Sequence, residues 1–395
     1  MNNDEKNIYD EKSKISNMIN YKNNNTNDNK IKNQSRLIVR LIYFSLFIYF
    51  VIICYLINIH IIIKKTASRY DKIINNIHKR SKFFSNIKSN NKNKLNLLEV
   101  YKKEQNDFCE NPSKYINQEY EKEIYLIDVN LNELKYKMYM FKPHNYVEIK
   151  IKKNGAYEKK LSENIMEALK FYSLKYKILN NKDITILDIG GNVGWYPSLL
   201  GRYGFTILSF EAFDKNYYIS KKNFCYLNRN SNVIIITKGL GNEDRICNYF
   251  RQKNNEGNGM VLCDNKYYLE DKKLNKQFER VSKVEITTLK SFLPYLSEKK
   301  IVLMKLDVEG NELQVLEGGK ELITEYHVPF IVLEFSPSYL KEIGSDPKKL
   351  LQFFIDNGYK ISLDGFLSKK YITINDLLSK VRFQVDCYFI HNSLS

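Results

Sequence analysis

Histidine is scarce in this chain, with five in 395 residues. None lies in a motif, so a zinc site or a histidine-centred triad has no support. The six cysteines, at 54, 109, 225, 247, 263 and 387, form no C-x-x-C pair and no metal spacing. Free, mostly buried thiols are therefore expected rather than a disulfide framework. No Gly-Lys-Ser/Thr follows any glycine cluster, which excludes a P-loop. The formal net charge is +17; residues 1–120 hold 21 Lys/Arg against 11 Asp/Glu, which is +10, and the remaining +7 includes no dense basic run and no arginine-rich helix. Lysine, asparagine, isoleucine and tyrosine all have AT-rich codons, so the charge reads as a solvated surface rather than a nucleic-acid groove.

What the chain does contain is organised around Ile184 to Ser198, ITILDIGGNVGWYPS. Its opening is apolar and partly β-branched, the pattern of a buried parallel strand. The strand ends on Asp188 and runs into Gly190, Gly191, Asn192 and Gly194, with a helix expected from Trp195 and Pro197 in its first turn. This is the nucleotide-binding corner of a doubly wound sheet. A dinucleotide fingerprint would put glycines where Asn192 and Trp195 stand, and a phosphate would be repelled by Asp188. A phosphate-free, positively charged ligand suits the acid better, and S-adenosylmethionine carries both an ammonium and a sulfonium. The next strand, Thr206 to Glu211, ends on a second acid 21 residues after Gly190, where a carboxylate can accept ribose hydroxyls.

Along the chain, residues 1–36 are polar and read as a disordered tail, cytosolic or lumenal. Leu41 to Ile63 holds 23 residues without Lys, Arg, Asp or Glu, enough to cross a ~30 Å hydrocarbon core. A single membrane anchor within 37–63 is expected, contacting the bilayer through 41–63, with the endomembrane system as its setting. Basic residues flank it almost evenly, so the positive-inside rule leaves the side open. Both N-x-S/T acceptors, Asn24 and Asn33, precede the span, a tilt towards a non-lumenal domain beyond it. Residues 64–120 read as a basic stalk and 121–180 as an addition to a domain covering 181–395. That addition holds strands at 123–129 and 135–141 and a helix from Glu158 to Leu174. Asp214 is expected to cap a helix that buries Tyr217, Tyr218, Phe224 and Cys225. Residues 245–287 read as a β insertion. Ile301 to Leu306 leads into Lys305, Asp307, Glu309 and Glu312, followed by a helix with Leu313, Leu316 and Ile323 on one face. Further strands are expected at 329–335, ending near Glu334, and at 359–363 and 385–391.

Asp188-Ile-Gly-Gly-Asn-Val-Gly-Trp, Phe210-Glu211, Gly239-Leu-Gly-Asn, Thr288-Leu289 and Lys305-Leu-Asp-Val-Glu-Gly-Asn-Glu312 stand in the order seen in FkbM-type methyltransferases. The chain resembles that family over residues 155–365. The resemblance implies an α/β, Rossmann-like doubly wound sheet of class I methyltransferase type, here with a β insertion. It also implies O-methylation, commonly of sugar or natural-product hydroxyls. Two positions depart from the pattern: Ala212 replaces a usual proline, and Lys290 a usual acid.

On this reading Asp188 and the Gly190–Gly194 turn hold the methionine part of the cofactor and Glu211 its ribose. Asp307 or Glu309 acts as base or positions the acceptor, and Lys305 tunes their charge. No metal is assigned. A reading from another class is a membrane-anchored scaffold whose fold has lost turnover, with Lys290 as its support. Nucleic-acid methylation lacks the Asn/Asp-Pro-Pro-Tyr element expected for base amines.

Overall fold

The computed structural model describes residues 43–65, 97–142, 146–227, 232–253, 255–263, 276–296 and 299–394, besides residues 14, 16–18 and 67. The chain divides into two units, Met1–Lys79 and Arg80–Ser395. In the first, Tyr43–Lys65 forms one helix of 23 residues with a mean hydropathy of 2.6 and no burial across its most apolar stretch. By length and composition it can cross a membrane. Nearly all of the expected tail and of 66–96 lie outside the described residues.

The second unit is built on a seven-stranded sheet. Its strands are β3 (Ile184–Ile189), β4 (Thr206–Phe210), β5 (Val233–Ile236), β10 (Lys300–Leu306), β11 (Phe330–Phe335), β12 (Tyr359–Ser362) and β13 (Val385–His391). Their spatial order is β12-β13-β11-β10-β3-β4-β5. The five from β11 to β5 are parallel, while β13 runs antiparallel to both neighbours. β3 and β10 are buried along almost their whole length, which is why they read as continuous apolar runs. The strand order reverses between β3 and β10, with β4 and β5 added on one side and β10 and β11 on the other, and ligands of open α/β sheets sit outside the carboxyl ends of strands at such a point.

Helices α1 (Leu97–Glu110), α2 (Tyr146–Asn154), α3 (Lys159–Lys175), α4 (Trp195–Arg202) and α5 (Asp214–Tyr226) belong to the same unit. The hairpin of β1 (Ile124–Leu131) and β2 (Leu134–Phe141) pairs in full register. A second sheet, ordered β6-β9-β7-β8, uses β6 (Gly239–Gly241), β7 (Arg245–Gln252), β8 (Asn255–Leu262) and β9 (Phe278–Thr288). It is the expected β insertion.

Four expectations need correction. The cysteines pair: Cys109 of α1 with Cys225 of α5, and Cys247 of β7 with Cys263 just past β8, leaving Cys54 and Cys387 free. The first pair is 116 residues apart and the second lies directly across two strands, so no motif along the chain betrays either. Residues 97–120 are part of the folded unit rather than a stalk. Gln105, fully buried, donates to the Val233 carbonyl and accepts from the Ile235 amide, each at 2.9 Å, so α1 closes the free edge of β5. Asp214 is the first residue of α5, and Phe213 precedes it without a side-chain cap. The helix after β10 is two pieces, α6 (Glu312–Glu317) and α7 (Glu321–Thr324). Gly318 and Gly319 part them, and a Cβ at Gly318 would stand 1.8 Å from the Gly241 carbonyl oxygen.

Candidate active site

A cavity of about 870 Å³ opens at the carboxyl ends of β3, β4, β10 and β11. The β insertion supplies part of its wall through Tyr249, Val261, Cys263 and Ile286, and α2 and the start of α3 supply another part. Phe213 stacks on Tyr249 with centroids 4.3 Å apart and planes 9° from parallel, fixing the insertion to the loop after β4.

The glycine turn lies at the floor. Gly190 has φ 86°, and a Cβ there would come within 1.7 Å of the Asp307 carbonyl oxygen, so only glycine lets the turn pass beneath β10. The Gly190 and Gly191 amides donate to the Phe210 carbonyl at 3.0 and 2.9 Å. The Asn192 amide donates to Glu211 Oε2 at 2.7 Å, and the Gly194 amide to Gly191. With these groups engaged the turn offers no amide nest for a pyrophosphate. This structural fact agrees with the argument from the charge of Asp188.

Glu211 lines the cavity and also accepts from the Phe213 amide at 2.8 Å. Burial pushes its carboxyl up to about 7, against the pull of those two amides. The group is held still beside Gly190 and Asn192 while keeping acceptor capacity for hydroxyls. Asp188, by contrast, does not line the cavity. It is 1% exposed, lies under Gly191, accepts from Ser209 Oγ at 2.7 Å, and is the register partner of Lys305. Its Oδ1 has no protein hydrogen-bond partner. Burial raises its pKa, and Lys305 and Ser209 oppose that rise.

At the end of β10, Lys305 Nζ stands 2.7 Å from Asp307 Oδ2. Burial alone would lower the lysine, but Asp307, Glu158 and Asp188 outweigh it and hold the ammonium protonated. Burial pushes Asp307 up, yet Lys305 and a hydrogen bond from Glu334 leave its carboxyl below the usual range. Burial, reinforced by the Asp307 charge, carries Glu334 well above the usual range, so it is the proton donor of that pair. Glu309 sits at φ 49° in the left-handed region, and burial followed by the charges of Asp307 and Glu312 keeps it protonated. Glu312 is turned into its own loop, accepting from the Gly310 amide at 3.1 Å. Its part is structural.

Two cavity acids escaped the sequence reading as functional groups. Glu334 was visible only as an acid near the end of a strand. Glu158, before two lysines at a helix start, looks like an ordinary capping residue. In the fold Glu158, Asp307 and Glu334 bring carboxylate oxygens within 4.8 Å of one another, and the cation in contact with Asp307 is Lys305. Lys290 lies away from the cavity, mostly exposed, with Nζ 3.7 Å from Glu321. The departure at that position leaves the cavity untouched.

Fold and cavity together define a Rossmann-like α/β domain with an acid-lined cavity at the carboxyl ends of its parallel strands. Residues 188–361 match the family model of the methyltransferase FkbM domain. The chain therefore carries an FkbM methyltransferase domain, and its cofactor is S-adenosylmethionine. No curated protein matches the chain significantly. Among solved structures it is similar to the bifunctional kinase-methyltransferase WbdD, at 12% identity and TM-score 0.35, covering 63% of this chain and 43% of WbdD. It is also similar to a TehB-like SAM-dependent methyltransferase from Corynebacterium glutamicum, at 10% identity and TM-score 0.26, over 58% of this chain and 99% of that one. A third is magnesium protoporphyrin IX methyltransferase from Synechocystis, at 12% identity and TM-score 0.29, over 59% and 86%. The chain thus spans less than half the length of WbdD.

Proposed function

We propose that the chain is a membrane-tethered O-methyltransferase acting on a hydroxyl of a glycan, lipid-linked or small-molecule acceptor. The observation that carries this is the cavity's division into two ends: Glu211 beside the glycine turn, and the acids Glu158, Asp307 and Glu334 around Lys305. Bound S-adenosylmethionine supplies an electrophilic methyl on a sulfonium. Glu211 accepts the ribose hydroxyls, and Gly190 and Asn192 border the methionine part. Asp188 supports the turn from below and balances Lys305 rather than touching the ligand. At the other end Asp307, held between Lys305 and Glu334, positions the acceptor hydroxyl. The helix Tyr43–Lys65 is the tether, and the partners are the bilayer and the acceptor, with no role for nucleic acid.

Calorimetric titration of the full-length chain in detergent tests the cofactor end. S-adenosylmethionine and S-adenosylhomocysteine should both bind, and Glu211→Ala should weaken both by about 100-fold, a loss of about 2–3 kcal/mol from a charge-assisted hydrogen bond. A folded wild type that binds neither would overturn the reading and favour a scaffold. The scaffold alternative rested on Lys290, which is remote from the cavity.

A further inference from the structure

We infer that Glu158 is the base that takes the proton of the acceptor hydroxyl. The inference rests on the methyl-transfer reading above and deepens it. Glu158 immediately precedes α3 with φ 42°, in the left-handed region. A non-glycine residue there costs on the order of 1–3 kcal/mol and persists where a site holds it. Its side chain lines the cavity, and Tyr196 Oη donates to Oε2 at 2.6 Å. This places the carboxylate among Asp307 and Glu334.

The other acids at this end are less suited. Asp307 is held by Lys305 and Glu334, which lower its basicity. Glu334 and Glu309 keep their protons, and Glu312 faces its loop. The groups that set the charge of Glu158 are Lys305 and Asp307 on and just beyond β10, Glu334 on β11, Asp386 on β13, Tyr196 on α4 and the adjacent Tyr157. Burial, with Asp307 and Asp386, raises its carboxyl to about 7 against Lys305 and Tyr196, where a base can both ionise and accept at neutral pH. In the step, the acceptor O–H bond breaks and its proton passes to a Glu158 oxygen. The acceptor oxygen forms the new O–CH3 bond, and the S–CH3 electron pair leaves with the sulfur as S-adenosylhomocysteine. Glu158 then returns the proton to water.

The test needs no acceptor, because the two cofactor forms differ in the sulfonium charge beside this group. The full-length chain in detergent is titrated with S-adenosylmethionine and with S-adenosylhomocysteine at pH 6, 7 and 8. In wild type the preference for the sulfonium form should grow by about tenfold over that range as Glu158 ionises. Glu158→Gln should flatten the slope while keeping S-adenosylhomocysteine affinity, and Glu334→Gln should leave the slope in place. With radiolabelled S-adenosylmethionine and a total lipid and glycan extract of the source cells, Glu158→Gln should also lose at least 100-fold in transfer. A slope that survives in Glu158→Gln, or moves to Glu334, overturns the assignment. So does loss of S-adenosylhomocysteine binding in Glu158→Gln, which would make the residue a grip on the amino-acid part. Failure of wild type to bind either form is a different result and removes the underlying methyl-transfer reading.

Discussion

Lys305 is 6% exposed, pairs with Asp307 at 2.7 Å, and is held protonated by the charges of Asp307, Glu158 and Asp188. Replacing it with Met leaves these acids without a counter-charge, and breaking a buried pair in this way costs about 3–5 kcal/mol. The sign of the pH effect follows from the acids. Without the lysine the carboxyl of Asp307 loses the charge that holds it down and those of Asp188 and Glu158, already raised by burial, rise further, so the folded state binds more protons. Stability should then fall as pH rises from about 4 upward. Urea unfolding of Lys305→Met against wild type at pH 5 and pH 8 checks this, and an equal deficit at both would sink it. Gly190→Ala is a second case, since its Cβ would meet the Asp307 carbonyl at 1.7 Å and its φ is 86°. A loss of several kcal/mol is expected from clash and strain together, read as a lower urea midpoint. At this scale the motif residues were legible in the sequence because strand, glycine turn and acid are contiguous. Glu158 was not, because its meaning comes from Tyr196, Asp307 and Glu334, which the fold brings to it from far along the chain.

The strands of the main sheet could be placed closely from their apolar runs, and the helix boundaries less well. Apolar periodicity continues through Gly318 and Gly319, so it cannot show that Gly241 and Leu289 press against those glycines and split the helix. Likewise α1 looks polar and detached in sequence. Its attachment depends on one buried glutamine, one cysteine and a few apolar residues, too few to make a pattern. The Cys109–Cys225 bond ties α1 to α5 across 116 residues. Closing a loop of that length stabilises by about 3–5 kcal/mol. The paired change Cys109→Ser with Cys225→Ser should lower the thermal midpoint accordingly and expose α1 to limited proteolysis before the rest of the domain. An unchanged midpoint would mean that Gln105 and the apolar contacts suffice.

For the whole molecule, the disulfides bear on which side of a membrane the domain works. The acceptor asparagines ahead of the apolar helix tilted towards a cytosolic domain, but two disulfides in one folded unit point the other way, because cytosolic thiols are kept reduced. On the proposed tether, residues after Lys65 would lie in an oxidising compartment and the N-terminal segment on the cytosolic side. The methyl acceptor would then belong to that compartment, and S-adenosylmethionine would have to be delivered there. Rapid acid quenching of cells, followed by thiol labelling with a maleimide-polyethylene glycol before and after reduction, measures this directly. Two labels before reduction, at Cys54 and Cys387, and six after it are expected, with the domain protected from protease in sealed membrane vesicles. Six labels without reduction, and a domain open to protease in the same vesicles, would place it in the cytosol and remove the oxidising-side assignment while leaving the cavity chemistry unchanged.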